Sequence, residues 1–250
     1  MGFVSVANDA GLATITLSRG RVNALNEPMV EEIDKWFADI EPDAAIKGVV
    51  LRGAGSFFSF GFDVPELLGY SKDEFVRFLR KFNSLCAKIY LYPKPVIAAL
   101  NGHAVAGGCL LALTCDYRIM VKGKARIGLN EITFGAPMFS GGVEMLTSLV
   151  GNRNGERVLL LGAMYSAEKA QAMGLVDEAA DDAGIAERVK EISHQFCQKD
   201  PEPFRIVKRL IRKPVAEKMS QGGENSIRDF ADIWYSENTW RKLQEIKIHG

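Results

Sequence analysis

The sequence predicts an α/β protein whose C-terminal part is wholly helical. Three observations carry that expectation. Short apolar runs of strand length alternate with helix-period segments over residues 1–195. Beyond about residue 196 the strand-like runs stop and only helical spacing remains. A coarse strand, strand, helix unit recurs in the first part, although the letters show no strong repeat. With 250 residues, 47% of them hydrophobic, the chain can bury a sizeable core as one large domain or two small ones. The expected division is 1–195 and 196–250.

The elements follow in order. Phe3–Val6 and Leu12–Leu17 alternate apolar with polar or small residues around Asn8-Asp9-Ala10-Gly11, which predicts a hairpin. Asn26 caps a helix with Pro28 in its first turn and Val30, Ile33, Phe37 and Ile40 on its buried face. Gly48–Gly53 is a buried strand. Phe75, Phe78, Phe82, Leu85 and Ile89 share one face of a helix from about Lys72 to Tyr90, which Pro93 and Pro95 end. Val96–Leu100 is a strand, Gly107–Thr114 a helix and Asp116–Val121 another strand. Helices are expected near Val143–Val150, Gly155–Leu161 and Ser166–Met173, the last closed by Gly174. Leu175–Asp177 has strand character. From Asp182 the pattern is helical, with breaks at Pro201, Pro203 and Pro214.

Charge narrows the function classes. Lys plus Arg and Asp plus Glu both number 31, so the formal net charge is zero. That argues against broad binding to nucleic acid or acidic membranes, and it suits self-association. The cysteines Cys86, Cys109, Cys115 and Cys197 form no CxxC pair and are expected to be free thiols in a reducing compartment. The most apolar stretch, Val96–Val121, contains Asn101, His103, Asp116 and Arg118, which a membrane span would not carry. No secretory leader precedes the first strand and the last residues are no recognised address. The expectation is a soluble cytoplasmic protein, with the mitochondrial matrix or the peroxisome as the alternative.

Three segments bear chemistry. Ser56–Asp63 follows a buried strand, and Gly61 permits backbone geometry that would turn the Phe62 N–H outward. Alone, it reads rather as an aromatic loop with a turn glycine. Ala106-Gly107-Gly108-Cys109 opens an apolar helix whose first N–H groups are donors for a negative oxygen. Alone, it is equally a site of close helix packing. Glu131 is a single carboxylate in apolar surroundings, where desolvation raises its pKa into the range useful to a base near neutrality. Alone, it reads as a surface or capping glutamate, the usual fate of a lone Glu. Together they suggest a site that makes an enolate and shuttles a proton.

These segments, with Val22-Asn23-Ala24-Leu25, Asn101-Gly102 through Cys115-Asp116, and Ser166–Ala170 through Gly174–Asp177, resemble the crotonase (enoyl-CoA hydratase/isomerase) superfamily over nearly the whole chain. The resemblance implies a spiral of repeated ββα units with a C-terminal helical trimerisation region. It implies an acyl-CoA thioester as substrate, no further cofactor, no metal, and a homotrimer or dimer of trimers. It places an oxyanion hole at the Phe62 and Gly107 N–H groups. It places CoA contacts at Asn23, Ala24, Leu25, Phe58, Phe60 and Asp63.

The sequence departs from the hydratase pattern at two places. Hydratases of this superfamily hold a water between two glutamates, one of which matches Glu131. The other position, three residues after Gly107, is Leu110 here, and leucine cannot hydrogen-bond a water. The turn that follows reads Ala136-Pro137-Met138-Phe139-Ser140-Gly141-Gly142, with Met138 and Phe139 in place of small residues. Leu110, Phe134, Met138 and Phe139 are expected to form a dry acyl pocket. A lone carboxylate in such a pocket suits double-bond migration from C3 to C2, and the Gly107–Ile119 and Ile127–Glu131 wording is most similar to the mitochondrial-type Δ3,Δ2-enoyl-CoA isomerases. The alternatives are another crotonase reaction, or a module that binds acyl-CoA or RNA without catalysis.

Other features carry less. His103 is expected to pack locally, and His194 and His249 have no metal spacing. Gly53-Ala54-Gly55 lacks the rest of a dinucleotide fingerprint. Arg205, Lys208, Arg209, Arg212 and Lys213 are expected on a solvated helix face. Phe230, Trp234, Tyr235 and Trp240 either cap the acyl pocket or seal a subunit interface.

Overall fold

The computed structural model describes residues 2–248, and His249 falls outside them. The hairpin is β1 (Val4–Asp9) against β2 (Leu12–Leu17), registered Val4 to Leu17 and Asp9 to Leu12. Ala10 and Gly11 make the turn with positive φ. β2 pairs in parallel with β3 (Gly48–Gly53), and β3 with β5 (Val96–Leu100). β5 pairs with β7 (Tyr117–Val121), and β7 with β9 (Glu178–Ala180), closing a six-stranded sheet. The central strands are buried on both faces, as their unbroken apolar runs require.

A second, smaller sheet runs β4 (Phe57–Ser59), β6 (His103–Val105), β8 (Ile127–Gly128), all parallel. Each of β3, β5 and β7 is therefore followed by a short strand in this sheet and then by helix. The recurring unit is one strand in each sheet and a helix. After β4 come α2 (Val64–Leu67) and α3 (Lys72–Tyr90), whose Ser71 and Glu74 form a reciprocal capping box. After β6 comes α4 (Gly107–Leu113). After β8 come a 3₁₀ turn (Glu131–Phe134) and α5 (Ser140–Leu161). α1 (Glu27–Ile40) starts at the Asn26 cap, whose side chain accepts from the Met29 N–H.

Three expectations change. Leu175–Asp177 is not a strand. Gly174 ends α6 (Ala167–Met173) in the left-handed conformation, and the Leu175 and Val176 N–H groups turn back to the Ala170 carbonyl. Pairing with β7 begins only at Glu178. The helices expected near Val143–Val150 and Gly155–Leu161 are two arms of α5, joined across Gly151 at φ 75 and ψ 160. Pro214 does not stop its helix. α8 (Pro201–Gln221) runs through it, after α7 (Ile185–Cys197) and before α9 (Gly223–Trp234) and α10 (Glu237–Leu243).

One hydrophobic core runs from Val4 to Leu243. α8 is locked to it by an ion cluster. Lys208 Nζ lies 2.7 Å and Arg212 Nη2 3.1 Å from the Asp116 carboxylate, at the start of β7. Arg212 also donates to the Tyr90, Thr114 and Cys115 carbonyls. Lys208 is thus buried and Arg212 half-buried rather than solvated, because their counter-charge comes from a distant strand. Burial holds the Lys208 ammonium down at about 8, the Asp116 charge opposing that shift. The four cysteines are free. No helix among the described residues is long and apolar enough to cross a membrane.

Candidate active site

The parallel arrangement of the small sheet brings the C-terminal ends of its three strands together. The loop after β4 carries Gly61 and Phe62. The loop after β6 carries Ala106 and Gly107, and Glu131 follows β8. These ends border a cavity of about 190 Å³, lined by Phe60, Phe62, Val105, Ala106, Asn130, Glu131 and Phe134. Val64, Phe230, Trp234 and Ile246 complete the wall.

Gly61 is required where it stands. Its φ is +92, and an added Cβ would lie 2.8 Å from the Val105 carbonyl oxygen and 3.1 Å from the Gly107 nitrogen. The two loops are therefore in direct backbone contact. Ala106 precedes α4 at φ 50 and ψ −119, an unusual conformation for alanine, and no side chain caps the helix. Among the described residues the Phe62 and Gly107 N–H groups find no acceptor. Gly108 gives the close helix approach expected of it, since a Cβ there would sit 2.4 Å from the Ser59 carbonyl oxygen. The Phe62 ring packs edge-on against Phe78 and Phe82, each 4.9 Å away, which fixes the loop over α3.

Glu131 opens the 3₁₀ turn and is only 7% exposed. Its Oε2 is buried without a hydrogen-bond partner. Desolvation pushes the carboxyl up to about 8, against a small opposing effect of its own backbone N–H. The turn is held from outside. Gly135 ends it at φ 89, and the Thr239 hydroxyl of α10 donates to the Gly135 carbonyl at 3.0 Å. Two further buried polar atoms on this wall, Asn130 Oδ1 and Trp234 Nε1, lack partners as well. Orphaned polar atoms are uncommon in folded interiors, and the gathering of three at one cavity makes it the candidate ligand site.

The acyl-pocket expectations divide. Phe134 lines the cavity. Leu110, in α4's first turn, is 1% exposed and lies close to Gly142 beside Met138. Phe139 packs against Phe230, with ring centres 6.3 Å apart. Leu110, Met138 and Phe139 are thus neighbours of the wall and not its surface. Of the four C-terminal aromatics, Phe230 and Trp234 line the cavity. The spacing of Ile227, Phe230, Ala231 and Trp234 on α9 is the sequence signal for that inward face. Asn130, Val64, Val105 and Ile246 carried no such signal.

The CoA expectations divide as well. Phe60 lines the cavity. Ala24 and Asp63 line a cleft of about 450 Å³ with Arg19, Arg21 and Glu66. Asp63 also caps α2 and takes an ion pair from Arg19 at 2.5 Å. Leu25 and Phe58 are fully buried. Asn23 is buried too, and its amide donates to the Ala54 and Phe57 carbonyls, each at 2.9 Å. It therefore shapes the loop from within. His103 stacks on Phe57 at 4.8 Å, away from the cavity, and burial lowers its pKa, with Arg126 adding to the effect. No group of three potential metal ligands occurs among the described residues.

The family model for enoyl-CoA hydratase/isomerase matches residues 7–242. The chain belongs to the enoyl-CoA hydratase/isomerase family. Enoyl-CoA delta isomerase 1, mitochondrial, of Mus musculus is 29% identical over 96% of this chain and 84% of its own length. A probable enoyl-CoA hydratase of Bacillus subtilis is 30% identical over 98% and 95%. The crystal structure of human mitochondrial delta3-delta2-enoyl-CoA isomerase superposes with a TM-score of 0.92 at 27% identity, over 97% of this chain and 95% of that one. The fold is therefore the crotonase-like spiral, and the chain is an enzyme of this family. The named relatives include isomerases and hydratases at similar identity, so the choice between the two reactions lies in the site.

Proposed function

We propose that this protein is a Δ3,Δ2-enoyl-CoA isomerase with Glu131 as its single acid and base. The observation that carries the reading is the composition of the cavity wall. Among the described residues Glu131 is its one acidic side chain, and Leu110, behind the wall, adds only buried hydrocarbon.

The chemistry balances on that one group. Glu131, ionised, takes a proton from C2 of a 3-enoyl thioester. The electron pair delocalises through the C3–C4 double bond and onto the thioester oxygen, giving a dienolate. The Phe62 and Gly107 N–H groups hold that oxygen. Glu131, now a carboxylic acid, returns the same proton at C4, and the double bond stands between C2 and C3. A carboxyl raised to about 8 by desolvation suits both halves of the cycle. The apolar wall limits water, which would otherwise exchange the proton or add to the product. An oxyanion donor typically contributes ~3 kcal/mol, and positioned acid–base catalysis roughly 10²–10⁴-fold.

The CoA moiety is the substrate's handle and no further cofactor is required. The cleft beside Ala24 and Asp63 would take its adenosine end, where Arg21 supplies positive charge for phosphates and Arg19 is already paired with Asp63 and Glu66. Self-association is part of the reading. Leu210 and Ile211 of α8 are 68% and 69% exposed, and Leu160 and Leu161 at the end of α5 are 69% and 63% exposed. Such apolar surface fits a homotrimer or a dimer of trimers. A reducing compartment, the cytoplasm or an organellar matrix, fits the free thiols.

The deciding experiment compares 3-enoyl-CoA with 2-enoyl-CoA spectroscopically. The expected result is conversion of the 3-enoyl thioester to the conjugated 2-enoyl product, with negligible hydration of the latter. Hydration as the faster reaction would assign the chain to the hydratases.

A further inference from the structure

We propose that the cavity limits acyl length, so that the preferred substrates are short-chain thioesters of about six acyl carbons. This deepens the isomerase reading and rests on it for the reaction, but not for the size limit.

Volume supplies the first step. An apolar cavity of about 150 Å³ accommodates benzene, which allots roughly 25 Å³ to each heavy atom. The 190 Å³ beside Glu131 then holds about eight heavy atoms. That space is not a separate tail pocket. Glu131, Phe62 and Ala106 all line it, so the thioester and the reacting carbons occupy it first. Subtracting the thioester sulfur and oxygen leaves about six carbons.

The wall explains why a longer chain does not simply continue. Phe230 and Trp234 are 2% and 1% exposed. Behind them Trp234 stacks on Phe75 at 4.5 Å, and Phe75 is itself fully buried. Phe139 backs Phe230. The packed interface of α3 with α9 thus lies beyond this side of the cavity. A longer tail would have to separate those helices. Ile246 adds an aliphatic side chain from the segment after α10.

Two measurements test the limit. The first is kcat/KM for 3-hexenoyl-, 3-octenoyl- and 3-dodecenoyl-CoA. It is expected to peak at six carbons and fall at least tenfold by twelve. The second is the affinity for saturated hexanoyl-CoA against dodecanoyl-CoA, which needs no turnover. In an open channel each added CH₂ would raise affinity by about fourfold. Here hexanoyl-CoA is expected to bind at least as tightly as dodecanoyl-CoA. Affinity and kcat/KM that both climb from six to twelve carbons would overturn the proposal. Absence of turnover at every length, with the hexanoyl preference intact, would sustain the size limit and remove the isomerase reading. Phe230→Leu and Ile246→Ala are expected to shift the preference toward eight carbons. If both fold and leave the length profile unchanged, these walls do not set the limit and the proposal fails.

Discussion

Replacing Glu131 with glutamine tests the site in two independent ways. The amide keeps the shape of the carboxyl but can neither ionise nor carry the proton. Turnover should fall by at least the roughly 10²–10⁴-fold that positioned acid–base catalysis supplies, while acyl-CoA binding persists. Stability should move the other way. The carboxyl rises from 4.5 to about 8 on folding, so the folded state holds its proton more tightly than the unfolded chain. Wild-type stability is therefore full below pH 4.5 and is lost progressively as pH rises through 8. At 1.36 kcal/mol per pH unit, the cost of the carboxyl to the wild type is about 2 kcal/mol at pH 6 and nearly 5 above pH 9. The gap in Tm between Glu131→Gln and wild type should accordingly widen by roughly 5–10 °C over that range, the variant being the more stable. Thermal unfolding followed from pH 6 to 9 reads this directly. The same titration should appear in wild-type kcat/KM, rising with pH to a plateau above about 8. Parallel Tm curves, or a variant within tenfold of wild-type turnover, would refute the picture of a shielded, proton-carrying carboxylate.

Two further substitutions probe the supports. Gly61→Ala forces a Cβ to within 2.8 Å of the Val105 carbonyl oxygen at a positive φ, prising the Phe62 and Gly107 amides apart. A 10²–10³-fold fall in kcat is expected from steady-state assays, and a loss under threefold would show that this contact does not set the donor geometry. In the α8 anchor, Asp116→Ala leaves Lys208 and Arg212 buried without a counter-charge and should cost about 3–5 kcal/mol. Lys208→Met leaves Asp116 its Arg212 partner and should cost clearly less. Urea midpoints at constant m-value check the order.

Much of the fold was legible wherever one periodicity acted alone. The aromatic stripe of α3 and the prolines beyond it placed that helix at about Lys72 to Tyr90, where it lies. The small sheet was not legible, because strands of two or three residues are too short to show a period. Yet that sheet gathers Phe62, Gly107 and Glu131, so their convergence came from family likeness and not from local pattern. The strand assigned to Leu175–Asp177 failed because apolar residues there serve a helix cap. Lys208 and Arg212 looked like solvated charges because their partner, Asp116, is 92 residues from Lys208. Phe230 and Trp234 stood out as an aromatic stripe, but only tertiary packing decides which space such a stripe faces.

The bond from the Thr239 hydroxyl to the Gly135 carbonyl has a consequence for biosynthesis. Together with Phe230, Trp234 and Ile246, it means that the candidate pocket is finished by segments synthesised after every strand of both sheets. A nascent polypeptide can assemble both sheets and still lack a closed pocket. The wall is complete only when residues 223–246 pack back over the 3₁₀ turn.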